Sequence, residues 1–178
     1  SEAGFRKILR CLQGQNHFPE EVGLSYVLAH LEDWREELRC ADINDCWPGF
    51  PHTPPPQSLR LVRGLGVPNR GLCDDALRVL VRGLEDASLK RLYVFNNKIG
   101  DEGVRILARS PYLQELEVLD LGWNQIRDEG AKALARSWTM PCLHTLHLDN
   151  NPIGLEGHKA LAYSHILPLS IRQHALCK

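Results

Sequence analysis

The sequence predicts an α/β solenoid: short parallel strands on a concave face, helices on the convex face, and a helical cap at the N-terminal end. Two observations carry that prediction. The first is a 27-residue period without slippage: Leu92, Leu119 and Leu146 fall on it, as do Asn97, Asn124 and Asn151, and so do Leu80, Leu107, Leu134 and Leu161. A fixed period of this size means one supersecondary unit stacked repeatedly, each copy burying its apolar face on its neighbours. The second is a change of rhythm inside each period. Leu92-Tyr93-Val94-Phe95 alternates as a half-buried strand does, whereas Val104, Leu107 and Ala108 have the i, i+3, i+4 spacing of a helix stripe. A strand reached again through a helix is a crossover connection, so the strands are expected to run parallel.

The repeating units read LKRLYVFNNKIGDEGVRILA from Leu89, LEVLDLGWNQIRDEGAKALA from Leu116 and LHTLHLDNNPIGLEGHKALA from Leu143. Each contains L-x-x-L-x-[LV]-x-x-N-x-I followed by an amphipathic helix. This pattern resembles the leucine-rich repeat, and the D-E-G-x-x-x-L-A half is similar to its cytosolic ribonuclease-inhibitor-like subclass. The resemblance covers residues 62–165 and implies a short curved solenoid that presents a binding surface.

Taken in order, residues 1–34 are expected to form an N-terminal helical cap. Phe5, Ile8, Leu9 and Leu12 make one apolar stripe, and Val22, Leu24, Val27, Leu28 and Leu31 a second after the helix opening Pro19-Glu20-Glu21. A lid of this kind hides the open end of a stack. Residues 35–61 read as a degenerate half-repeat, with Leu38 and Cys40 at strand positions and no helix following, and then a proline-rich loop. Residues 62–165 hold the repeats. In the first, Val62, Leu65, Val67 and Leu72 occupy the apolar positions, but Arg70 replaces the turn asparagine. Residues 166–178 are the C-terminal cap, in which Pro168 to Arg172 would add a short closing strand.

Within a unit, the asparagine sits where the chain turns off the strand, and its amide can satisfy backbone groups the turn leaves unpaired. Asp101 and Asp128 precede the helices and are expected to cap free N–H groups there. Gly103, Gly130 and Gly157 would let each helix approach the strand layer.

Composition narrows the function. A chain of 178 residues with net charge −1 and 43% hydrophobic residues is neither disordered nor a polyanion binder driven by bulk charge. No apolar run reaches the ~20 residues a membrane helix needs. No signal-peptide core is evident near Arg6, Lys7 and Arg10. The six cysteines are scattered without C-x-x-C spacing or terminal clustering, which favours a reducing, cytoplasmic setting. Cys142, His144 and His147 have metal-ligand residue types, but two histidines three apart on a strand face opposite ways, so no metal site is assigned. Gly64-Leu65-Gly66 falls on the strand of the first repeat and lacks the lysine and serine of a phosphate loop. His52-Thr53-Pro54-Pro55-Pro56 reads as a rigid loop in preference to a polyproline ligand. No nucleophile–base pair is evident, so no catalytic residue and no cofactor are assigned.

What remains is the concave strand face. Its outward positions include Arg91, Tyr93, Phe95 and Asn96 in one repeat, Asp120 and Trp123 in the next, and His147 and Asp149 in the third. Adjacent strands lie about 4.8 Å apart, which gathers Tyr93, Phe95 and Trp123 into one aromatic group with a charged rim. That is the anatomy of a protein–protein hot spot. Phe95 or Trp123 folding back onto its turn is the competing reading. The binding reading is preferred because positions 93 and 95 lack an evident partner within the chain. The expected function is a non-enzymatic adaptor or scaffold: a monomer that binds a protein through these eight residues, without nucleic acid or membrane. The alternative is an inhibitor or immunity-type protein that blocks an enzyme.

Overall fold

The structure, a computed structural model, describes residues 40–47 and 50–176. The expected cap at 1–34, with residues 35–39, lies outside the described residues. Among the described residues, five three-residue strands form a single parallel sheet in sequence order: β1 (Cys40–Asp42), β2 (Gly64–Gly66), β3 (Arg91–Tyr93), β4 (Val118–Asp120) and β5 (Thr145–His147). A one-turn helix α1 (Ile43–Cys46) follows β1, and α2 (Asp74–Gly83), α3 (Asp101–Ala108), α4 (Asp128–Ala135) and α5 (Leu155–Ala162) follow the other strands. A last helix, α6 (Leu169–Leu176), packs on α5 and β5. Strands line one face and α2 to α5 stack in sequence along the other, which is the curved solenoid the period predicted.

Each strand hands its middle residue to the core. Leu65, Leu92 and Leu119 are paired across the sheet and fully buried, and Val67, Val94, Leu121, Ile99 and Ile126 extend the same column. Leu77, Leu80, Val104, Leu107, Ala131 and Leu134 close it from the helix side. Burying such columns against both neighbours is what makes one repeat depend on the next.

Three side-chain devices, each recurring at 27 residues, tie every regular repeat to the one before it. In the turn, Asn97 Oδ1 accepts from the Arg70 and Leu72 amides at 3.0 and 2.9 Å, while its Nδ2 donates to Val67 and Val94 carbonyls. Asn124 likewise reaches Ile99 N and Val94 O, and Asn151 reaches Ile126 N and Leu121 O. At the helix starts, Asp101 Oδ1 accepts from Arg127 N and Gly130 N at 2.8 and 2.9 Å, and Asp128 Oδ1 accepts from Gly154 N and Gly157 N. At the helix ends, Ser137 and Ser164 hydroxyls donate to Ala108 O and Ala135 O. Those last carbonyls and first amides are the groups a helix cannot satisfy by itself.

These bonds correct one expectation: each aspartate caps the helix of the next repeat instead of its own. The glycines do let each helix approach the strand-and-turn layer of its own repeat, since a Cβ on Gly130 would stand 2.7 Å from Ile126 Cγ2 and one on Gly157 2.6 Å from Ile153 Cγ2. They also make room for the neighbouring carboxylate, as the same Cβ atoms would stand 2.6 Å from Asp101 Oδ1 and 2.7 Å from Asp128 Oδ1.

The ends of the described chain bring two further corrections. β1 pairs with β2 as Cys40↔Gly64, Ala41↔Leu65 and Asp42↔Gly66, a 24-residue offset, so Ala41 and Ile43 take the inward positions in place of Leu38 and Cys40. A helix does follow β1, though only for one turn. The connection to β2 then runs through prolines and a 3-10 turn (Gln57–Leu61), which frees it from the helical repeat length. Residues 168–172 form no strand; they open α6, whose Ser170 hydroxyl donates to His144 O, where the register calls for the amide of a next strand. On the 27-residue register Ser170 falls where the earlier units carry Val62, Leu89, Leu116 and Leu143, and Gln173 where they carry Leu65, Leu92, Leu119 and Leu146, so a sixth strand would lack two inward apolar side chains.

Candidate functional site

On the concave face the residues fall into rows that cross the strands. One row runs Cys40, Gly64, Arg91, Val118, Thr145, and the next Asp42, Gly66, Tyr93, Asp120, His147. Beyond the strands the 27-residue spacing gives Pro68, Phe95, Gly122, Asp149, and then Asn69, Asn96, Trp123, Asn150. The structure therefore brings together all eight residues chosen from sequence, on three neighbouring repeats. Arg91, Tyr93, Phe95, Asp120 and Asp149 are half-buried, while Asn96, Trp123 and His147 are exposed. Trp123 is 62% exposed, so it does not fold back onto its turn.

The two glycines of β2 leave a trough of about 310 Å³ in this face, lined by Cys40, Asp42, Pro68, Tyr93 and Phe95. Gly64 lies close under β1: a Cβ there would stand 2.5 Å from Cys40 Sγ, so the thiol would have to turn away. The Arg91 side chain crosses the trough, its Nη2 3.3 Å from Cys40 Sγ. Gly66 is more open, with nothing nearer than 3.8 Å to an added Cβ. Asp42 closes the far wall, 3.7 Å from Arg70 Nη2. Cys40 and Asp42 are site-lining residues that sequence reasoning missed, because a 27-residue shift misplaced β1 by three positions. The signal was faint: among the described strands, only β2 has glycine at both outward positions.

The last row has a common backbone. Asn69, Asn96, Trp123 and Asn150 all adopt φ between 52° and 57°, the left-handed region. Asparagine tolerates it because its short amide bonds locally, and Asn96 Nδ2 donates to Asn69 Oδ1. Trp123 has no such compensation, and a bulky residue there is strained. Its backbone is held by Trp123 N donating to Asp149 O at 2.8 Å and Asn97 N donating to Trp123 O at 3.2 Å. Beside it, Asp120 Oδ1 accepts from Gly122 N at 3.0 Å, which fixes that carboxylate over the glycine.

A charged row runs along the N-terminal ends of the strands: Lys90 Nζ lies 3.4 Å from Glu117, and His144 Nε2 3.9 Å from the same carboxylate. His144 thus sits beside Glu117 and apart from the concave row that holds His147. Among the described residues no three His, Cys, Asp or Glu side chains gather as a metal site, and no helix is long and apolar enough to cross a membrane.

The family model described as "Leucine Rich repeat" matches residues 86–108, 112–135 and 139–162. Three leucine-rich repeats thus lie within residues 86–162. Those three matches cover the strand, turn and helix of β3–α3, β4–α4 and β5–α5. No curated protein matches the chain. A solved structure titled "Leiomodin-1 Actin-Binding Site 2 (ABS2)" is similar in fold, with a TM-score of 0.51 and 19% identity over 65% of this chain and 76% of that one. Over the described residues the fold is thus a leucine-rich repeat solenoid with five parallel strands.

Proposed function

We propose that this chain is a non-enzymatic protein-interaction module, an adaptor or scaffold, that engages a protein partner on the concave face through Tyr93, Phe95 and Trp123. The single observation that carries the reading is Trp123. An indole left 62% exposed, in a backbone conformation that suits asparagine, does little for the folded chain. Exposed aromatic side chains on a rigid surface are the usual anchors of protein interfaces. The stacked repeats hold these rings in place before binding, so little conformational freedom is lost when a partner docks. Arg91, Asn96, Asp120, His147 and Asp149 supply the polar rim.

A further observation supports the reading: the leiomodin structure of similar fold is titled as an actin-binding site. The module acts as a monomer in the cytoplasm, without cofactor, metal, nucleic acid or membrane. Cys46, a buried thiol, and the exposed thiols Cys73 and Cys142 suit a reducing compartment.

Affinity capture from native lysate tests it. Wild type and the convex-face variant Lys132→Ala retain the same protein, and the Phe95→Ala/Trp123→Ala double variant loses it while keeping its circular dichroism. Equal capture by the double variant would move the site off this face.

A further inference from the structure

We propose that the free edge of β5 binds an extended segment of a protein partner as a sixth parallel strand, closed by an asparagine. Thr145 N donates to Glu117 O and His147 O accepts from Leu121 N, so these two residues face β4. The alternate residues His144, Leu146, Leu148 and Asn150 turn their backbone groups the other way. Along that edge the Ser170 hydroxyl donates to His144 O, and the Asn151 amide donates to Leu148 O. Among the described residues, nothing bonds to the N–H and C=O of Leu146, or to the N–H groups of Leu148, Asn150 and Ile153. One repeat earlier, the counterparts of those last three are all taken. Leu121 N donates to His147 O at 2.9 Å, Trp123 N to Asp149 O at 2.8 Å and Ile126 N to Asn151 Oδ1 at 3.0 Å.

The register defines what fits. A segment parallel to β5 would set carbonyls on Leu148 N and Asn150 N and an asparagine Oδ1 on Ile153 N, as β5 and its turn do for β4. Main-chain bonding to an open sheet edge is a general mode of peptide capture. Apolar cover is also incomplete there: Leu148 and Ile153 are half-buried, whereas Leu121 and Ile126 are fully buried. A cleft of about 230 Å³ between residues 144–147 and the α6 residues Ser170 and Ile171 leaves room beside the strand. Two observations make the occupant a short segment in preference to a further repeat or a second copy. On the helix side, α6 already packs on α5. Position 155 also holds a leucine, 69% exposed, where Asp74, Asp101 and Asp128 cap the next helix. The end of the stack thus offers places for a strand and a turn, with no helix behind them. Ile171 is buried beside Leu146, so the inward position opposite Leu146 suits a small side chain, and the one opposite Leu148 a leucine. His147 and Asp149 lie on the same strand and turn, so a partner laid on the concave face can reach this edge.

The test uses the whole chain, labelled with ¹⁵N, and the blocked heptapeptide Thr-Ala-Thr-Leu-Thr-Asn-Asn. One control peptide carries an N-methyl group on its third residue, whose N–H would meet Leu146 O. A second has alanine for the last asparagine. The parent peptide is expected to shift the amides of Leu146, Leu148, Asn150 and Ile153 and to slow their hydrogen exchange at least about tenfold. N-methylation is expected to raise Kd at least about tenfold, and loss of the asparagine to leave Ile153 unprotected. Absence of these shifts, equal binding by the N-methyl peptide, or shifts centred on Trp123 would overturn the proposal. Protection of the same amides that grows with protein concentration, without peptide, would overturn it in favour of a second copy. These readouts are separate from lysate capture by the Phe95→Ala/Trp123→Ala variant, so either reading can fail alone.

Discussion

The junction between β1 and β2 and the junctions among β3, β4 and β5 belong to one sheet, yet they are held by different means. From β2 onward, an asparagine amide joins each turn to the one before it, and an aspartate caps each next helix. A serine hydroxyl does the same for the helix ends of the later repeats. At the β1 end no asparagine stands at position 70, and Arg70 lies beside Asp42 instead. What holds that end is packing. Trp47 is buried and meets Phe50 edge-on with ring centres 5.1 Å apart, and its indole N–H donates to Thr53 at 3.1 and 3.0 Å. Gly83 of α2 lies against this ring, where a Cβ would stand 2.6 Å from Trp47 Cζ3. A repeat can thus be joined to its neighbour by periodic hydrogen bonds or by one aperiodic anchor.

The comparison is sharpest if the two means are removed separately. Trp47→Ala is expected to cost the most, about 3–5 kcal/mol, because it empties a large buried volume that the prolines around it cannot fill. Denaturant titration reads that value, and a loss below about 1 kcal/mol would show that the aperiodic end adds little to the stack. Asn124→Ala should cost less, about 1–3 kcal/mol, through Ile99 N, Val94 O and Leu121 O left without their partner. Asp101→Ala comes next at about 1 kcal/mol, the worth of one helix cap, and protection of the Arg127 and Gly130 amides from hydrogen exchange should fall with it. If exchange instead rose at the start of α3, the aspartate would be capping its own helix.

The smallest effect belongs to the exposed Glu129–Lys132 pair on α4, 2.8 Å apart. The hydrogen bond from Lys132 and its charge hold the Glu129 carboxyl below its ordinary value, and Glu129 raises Lys132 in the same way. A depressed carboxylate contributes above its unfolded pKa and loses that contribution as pH falls through the folded value. A raised lysine contributes below its unfolded pKa and loses it as pH rises through the folded value. The pair is solvent-screened, so Glu129→Gln should flatten the acid limb of the stability–pH curve only slightly. A large change there would place these side chains in a contact the fold does not show.

The same contrast decides what could be read from sequence. Leu92, Leu119 and Leu146, Asn97, Asn124 and Asn151, and the D-E-G helix starts were legible because each repeats at a fixed distance, and the parallel sheet follows from them. The direction of the aspartate bonds was not legible, since a cap on its own helix and a cap on the next have the same spacing. Ser110, Ser137 and Ser164 also keep the period, but a small polar residue after a helix carries no signature of its own. The β1 register was lost because a proline loop need not conserve length, and with it went Cys40 and Asp42 in the concave trough. The fate of 168–172 turned on Ser170 and Gln173, two positions where the inward apolar side chain of the register is missing. On the concave face, the sequence placed Trp123 beside Tyr93 and Phe95, but not its left-handed backbone. That needed the row Asn69, Asn96 and Asn150 to be seen as one conformation.

Trp123 is also where stability and binding are expected to part. Trp123→Asn restores the residue type of the other three positions in its row, and its denaturation midpoint measured beside its capture yield tests the account most directly. The variant is expected to be more stable by about 1 kcal/mol, the relief of a bulky residue from the left-handed region, and no longer to retain its partner. A variant that is less stable than wild type and binds undiminished would contradict it, because Trp123 would then serve the fold and not the face.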